Sequence, residues 1–152
     1  LRIYKMKTTQ QLPISVSEAW SFFSSAGNLS SITPPWMKFE VTGHLPENMY
    51  PGMLATYRLK PLLGVSLSWV TEITHMVENK YFIDEQRFGP YRFWHHQHHF
   101  KELEDGVEMT DIVHYALPYA MLGRLVHRIN VEKKLNEIFR YRYKKLEEMF
   151  KQ

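Results

Sequence analysis

Along most of this chain, apolar and polar side chains trade places at every second position, the period of a strand with one face buried. Seven segments carry the pattern: 2–10, Trp36–Gly43, Met53–Leu59, Val65–His75, Tyr81–Arg87, Tyr91–Leu103 and Val107–Leu117. In Val65–His75, for example, Val65, Leu67, Trp69, Thr71 and Ile73 face one way, and Ser66, Ser68, Val70 and Glu72 the other. Short turn-forming words separate the later segments: Pro51-Gly52, Leu63-Gly64, Glu78-Asn79, Gly89-Pro90 and Glu104-Asp105-Gly106. Connections this short join antiparallel neighbours, and the last is the strongest hairpin signal in the chain.

Two stretches break the alternation. After the first strand, Ser15 followed by Glu18 forms a capping-box pattern, with Ala19, Trp20, Phe22 and Phe23 supplying the apolar side of a short helix. A second short helix, capped by Asn28, is expected to stop at Thr33-Pro34-Pro35, since two prolines cannot continue it. The other break is carboxy-terminal. From Leu122 to Phe150, apolar residues recur at gaps of three or four, among them Leu125, Ile129, Leu135, Ile138, Phe139 and Leu146. A helix of that length is a rod of roughly 43 Å, which must lie across the whole sheet to bury its apolar stripe. A curved antiparallel sheet wrapped on one long helix leaves a space between them, and function belongs in that space.

Composition narrows the picture. The chain has 152 residues, 44% of them hydrophobic, so a single domain over 1–152 with a substantial core is expected. Nine tyrosines, nine phenylalanines and four tryptophans suit a thick core or a cavity wall. With no cysteine there are no disulfides, thiolate nucleophiles or cysteine zinc sites, which is compatible with a reducing compartment. The start, LRIYKMKTTQ, lacks the apolar core of a signal peptide, and no run is long enough to span a bilayer. A cytoplasmic location without membrane insertion is expected. The net charge of +3 demands no nucleic-acid partner. The basic, aromatic-rich stretch Arg140-Tyr141-Arg142-Tyr143-Lys144-Lys145 reads as a solvated helix face. Self-association into a homodimer is compatible with these features.

The densest candidate chemistry is Trp94–Phe100, WHHQHHF, which holds four of the eight histidines. Strand alternation puts His96 and His98 on one face with Trp94 and Phe100, and His95 and His99 on the other. Polar groups on an apolar wall are how small-molecule sites are built. The Glu104–Gly106 turn makes Val107–Leu117 a neighbour, so Asp111 is placed to hold an imidazole, with Tyr115 on the same face. On the preceding strand either Asp84 or Glu85 faces the interior, where a histidine is its best partner. Tyr57 and Trp69 lie on central strands, placed to stack on a ring or to floor the cavity. The candidate pocket is therefore Tyr57, Trp69, Asp84, Glu85, Trp94, His96, His98, Asp111 and Tyr115. No Gly-rich phosphate loop, HExxH or Gly-x-Ser-x-Gly occurs. No cofactor is expected. A metal on His96, His98 and Asp111 is not expected either, for want of further histidines and an outer shell.

Several words fall in an order that resembles the ligand-binding SRPBCC superfamily, and within it a bacterial subgroup. They are Thr33-Pro34-Pro35-Trp36, Tyr57-Arg58-Leu59, Asp84-Glu85-Gln86, Gly89-Pro90-Tyr91, Trp94-x-His96-x-His98-x-Phe100, the run from Met109 to Pro118, and Leu122-Gly123-Arg124. The resemblance implies the α+β helix-grip fold, as in START domains and birch-type pollen allergens: a seven-stranded curved antiparallel sheet gripping a long carboxy-terminal helix, with two short helices after strand one. It implies a deep cavity between sheet and helix, with Leu62–Gly64 and Gly89–Pro90 near its mouth. The expected occupant is a small hydrophobic, aromatic or lipid-like molecule. Two alternatives stay open: a cyclase, dehydratase or hydrolase using a pocket histidine with a carboxylate, and a regulatory or chaperone-associated domain.

Overall fold

The computed structural model describes residues 1–60, 64–118 and 130–151. Seven strands form one antiparallel sheet: β1 (Tyr4–Leu12), β2 (Glu40–Val41), β3 (Leu54–Leu59), β4 (Leu67–Val77), β5 (Tyr81–Phe88), β6 (Phe93–Leu103) and β7 (Gly106–Ala116). Their order across the sheet is β1-β7-β6-β5-β4-β3-β2. From β2 to β7 each strand pairs with the next in sequence, and β1 closes the series by pairing with β7 along its whole length. Helix α1 (Val16–Phe23) and a 3-10 segment (Ala26–Ile32) follow β1, and helix α2 (Glu132–Met149) closes the described chain. This is the helix-grip fold.

Local signals explain most element ends. Ser15 caps α1: its hydroxyl accepts from the Glu18 N–H, and the Glu18 carboxylate accepts from the Ser15 N–H. Asn28 does not cap the 3-10 segment. Its amide instead donates to the Phe22 carbonyl at 2.9 Å, adding to the backbone bonds that carbonyl accepts at the end of α1. The β6–β7 hairpin closes at Leu103 opposite Gly106. A side chain at Gly106 would run into the Leu12 carbonyl of β1, so the turn needs glycine for close approach.

The expected strand Trp36–Gly43 is largely absent. Pro35–Met37 forms a 3-10 turn and Lys38 takes a left-handed conformation, φ 49°, so pairing with β3 begins only at Glu40. Expected strand limits elsewhere move by a few residues, and β4 starts at Leu67 and runs on to Val77. The expected helix start at Leu122 and most of the Leu62–Gly64 loop lie outside the described residues.

The inner face of the sheet packs in two regions. Trp20 of α1 meets Phe82 and Phe100 edge-on at 6.1 and 5.5 Å, which closes one end of the sheet. At the other, Val113 and Tyr115 pack with Val131, Leu135 and Phe139 beneath α2. Between these regions lies the cavity.

Candidate functional site

A cavity of about 170 Å³ separates the sheet from α2 and the short helices. Trp69, Thr71 and Ile73 of β4, Phe82 of β5 and Tyr57 and Leu59 of β3 supply its floor. Phe22 and Phe23 of α1, with Leu135 and Phe139 of α2, supply the opposite walls. Trp69 points its indole N–H at the Thr71 hydroxyl, 2.9 Å away, so its polar edge is satisfied and its ring is left apolar. Trp69 and Trp94 meet edge-to-face at 5.3 Å, with Tyr91 against both.

One wall is different. Asp84 of β5, His96 and His98 of β6 and Arg142 of α2 all line the cavity, and Asp111 of β7 stands directly behind the histidines. The register explains the convergence: Asp84 sits opposite His96 and Asp111 opposite His98. The tightest bonds run along the diagonals. His96 Nε2 lies 2.8 Å from Asp111 Oδ1. His98 Nε2 lies 2.6 Å from Asp84 Oδ2. The direct pairs are looser, at 3.5 Å for His96 Nδ1–Asp84 Oδ2 and 3.0 Å for His98 Nδ1–Asp111 Oδ1. The result is a closed ring in which two imidazoles bridge two carboxylates. Phe82 stacks on the His98 ring at 4.1 Å.

This geometry assigns protons. Ionised carboxylates only accept, so His98, with both nitrogens within 3.0 Å of one, carries two protons. His96 has one close carboxylate and one at 3.5 Å, which suits a neutral ring with its proton on Nε2. The energetics agree. Burial opposes a charge on His98, but the bonds and charges of Asp111 and Asp84 outweigh it and raise its pKa. Burial, then the neighbouring charge of His98, lowers the pKa of His96 despite the two carboxylates. Burial would raise both carboxyls, yet the histidines, with Arg142 also acting on Asp84, hold Asp84 below its ordinary value. Asp111 is held well below by the two histidines. Two carboxylates, one imidazolium and one guanidinium sum to zero.

Burial also raises the Tyr57 phenol, with Asp84 adding to the effect, so Tyr57 stays neutral.

Not every candidate residue meets the cavity. Tyr57, Trp69, Asp84, Trp94, His96 and His98 line it. Glu85 does not: with Asp84 inward, alternation turns Glu85 to the outer face, where it binds His95 Nδ1 at 2.7 Å and lies 3.7 Å from Arg87. There, Gln97 bridges His95 and His99, which satisfies the outward histidines of the cluster. Asp111 acts from behind, and Tyr115 is buried against Tyr4 and Tyr91 without lining the cavity. Arg142 was hidden in the basic run read as solvated. Its spacing gives it away: Leu135, Phe139, Arg142 and Leu146 follow gaps of four, three and four, so Arg142 occupies the buried stripe.

The donor atoms of Asp84, His96 and His98 lie within 4.8 Å of one another, near enough to reach one ion. In the structure they are engaged with each other and with Asp111.

No family model matches the chain, and no curated protein sequence matches it. Solved structures do. Protein CV1439 from Chromobacterium violaceum superposes with a TM-score of 0.74 at 11% identity, over 97% of this chain and 98% of that one. TTHA0849 from Thermus thermophilus gives 0.67 at 19% identity, over 95% of each chain. Major latex-like protein 151 from Panax ginseng gives 0.68 at 10%, over 99% of each. At these identities the likeness shows a common fold, and the chain shares with these proteins a curved sheet closed on a carboxy-terminal helix.

Proposed function

We propose that this protein is a bacterial ligand-binding protein of SRPBCC type, taking up a small, largely apolar molecule with one polar end. The observation that carries the reading is the asymmetry of the cavity: aromatic and aliphatic on most sides, with Asp84, His96, His98 and Arg142 gathered on one wall. The apolar body sits among Trp69, Phe82 and Phe139, and the polar end meets the charged wall. Native mass spectrometry of freshly purified protein and displacement of a polarity-sensitive aromatic dye test this. A copurifying small molecule at about one per chain, or saturable dye binding lost on Trp69→Ala, is expected. Absence of both, with a folded protein, overturns the reading. The cysteine-free composition fits residence in the cytoplasm.

One observation favours a second reading. The pKa of His98 is pushed up and that of its close neighbour His96 down, and groups pushed apart in this way can serve as acid and base on a bound carbonyl or leaving group. His98→Asn that retains ligand but abolishes its conversion would establish catalysis, and recovery of the natural ligand unchanged after incubation would exclude it.

A further inference from the structure

The cavity's charged wall holds a buried donor that no acceptor among the described residues meets. Each carboxylate commits one oxygen, Asp84 Oδ2 and Asp111 Oδ1, to both imidazoles. Arg142 is in the opposite condition. Among the described residues its Nε–H is buried without a hydrogen-bond partner, and its nearest carboxylate contact, Nη1 to Asp111 Oδ1, is 3.9 Å, beyond hydrogen-bonding distance. The side chain is 12% exposed and its guanidinium lies 4.8 Å above the Phe139 ring, which fixes the plane of the fork against the cavity. A buried N–H left without an acceptor is costly, and native structures rarely leave one without a reason.

Building on the binding role proposed above, we propose that the ligand is a small aromatic carboxylic acid whose carboxylate is received by Arg142. An oxygen acceptor is what the orphaned N–H lacks, and a guanidinium offers Nε and an Nη in parallel, the geometry that a carboxylate matches with both oxygens. Asp84 and Asp111 do not repel such an anion as bare charges would, because His98 and Arg142 already bring the wall to zero and the carboxylates face the imidazoles. The cavity's 170 Å³ is on the scale of one that accepts a single benzene ring. The edge-to-face arrangement of Trp69 and Trp94 suits a flat ring better than a flexible acyl chain.

Three probes of one shape test this by isothermal titration calorimetry: 3-phenylpropionate, 3-phenylpropan-1-ol and 3-phenylpropylamine. The wild-type protein is expected to favour the acid over both others by at least about tenfold, the scale of a charge-assisted hydrogen bond. In Arg142→Gln the ratio of acid to alcohol affinity collapses toward one, and in Arg142→Lys, which keeps the charge but loses the fork, it falls part of the way. Melting curves confirm that each variant is folded, and the wild-type comparison stands even if one is not. Equal binding of acid and alcohol, preference for the amine, or an acid preference that survives in folded Arg142→Gln overturns the inference while leaving the cavity as a binding site. If none of the three binds wild-type protein but the dye does, the ligand is not a small aromatic acid. If nothing binds, the binding role falls with it.

Discussion

The imidazole rings of His96 and His98 lie 3.7 Å apart, centroid to centroid, between the carboxylates of Asp84 and Asp111. Two like rings at this distance cannot both carry a full charge cheaply, and the carboxylates ensure that one does. The pair titrates as a unit, with the first proton held tightly and the second weakly.

At pH 7, nitrogen NMR of the imidazoles should therefore show His98 doubly protonated and His96 neutral with its proton on Nε2. The opposite assignment, or both rings titrating near 6.5, would remove the charge arrangement. The folded pKa of His98 is raised, so the stability drawn from its proton is complete below about pH 6.5 and declines as pH rises through the folded value. The stability deficit of His98→Asn should accordingly shrink in alkaline solution.

Asp111→Asn keeps an acceptor oxygen but removes the negative charge that the two buried histidines share. A loss of about 3 kcal/mol in urea unfolding at pH 6 is expected, the scale of breaking one side of a buried ion pair. Because the folded pKa of Asp111 is lowered, its contribution is complete above about pH 4 and fades only as pH falls through the folded value. A variant as stable as wild type at pH 6 would contradict the ring as a structural unit.

The capping box at Ser15 and Glu18 fastens the short helix that closes one end of the sheet. Ser15→Ala should cost about 1 kcal/mol. Glu18→Gln, which can still accept from the Ser15 N–H, should cost less. The ranking of the two midpoints in thermal melts checks this.

Gly106→Ala forces the β6–β7 turn away from the Leu12 carbonyl and should cost on the order of 2 kcal/mol. Gly27→Ala meets nothing within 4 Å among the described residues and should stay within about 0.5 kcal/mol of wild type. Equal effects in chemical denaturation would mean that the close approach at Gly106 does not constrain the fold.

A dication at Asp84, His96 and His98 would have to displace the His98 proton and settle beside the Arg142 guanidinium. Elemental analysis of untagged protein should thus find zinc, iron and manganese well below one per chain. A stoichiometric metal lost on His96→Asn would replace the proton in this account.

Alternation and turn chemistry made β3 to β7 legible, and with them the shared face of Trp94, His96 and His98. The strand expected at Trp36–Gly43 failed because its period-2 pattern says nothing of backbone dihedrals: a proline-led turn and the left-handed Lys38 consume its first half. Choosing Asp84 over Glu85 required the register across β5 and β6, since both residues had a histidine within reach on their own side. Arg142 was legible only by position. Its neighbours are charged or aromatic, and composition alone drowns the one basic residue that falls in line with Leu135, Phe139 and Leu146.

β6 carries one histidine pair on each face, and each face meets an acid of β5: Asp84 binds His98 within, and Glu85 binds His95 without. A slip of one residue against β5 would still set one histidine opposite a carboxylate, His96 opposite Glu85 or His95 opposite Asp84. Charge pairing alone is therefore a poor guard against misthreading of this strand. The discriminating work falls to Trp94 and Phe100, whose rings pack edge-on against Trp69 and Trp20, and to the two-residue hairpin at Gly106 that counts the strand out from its end.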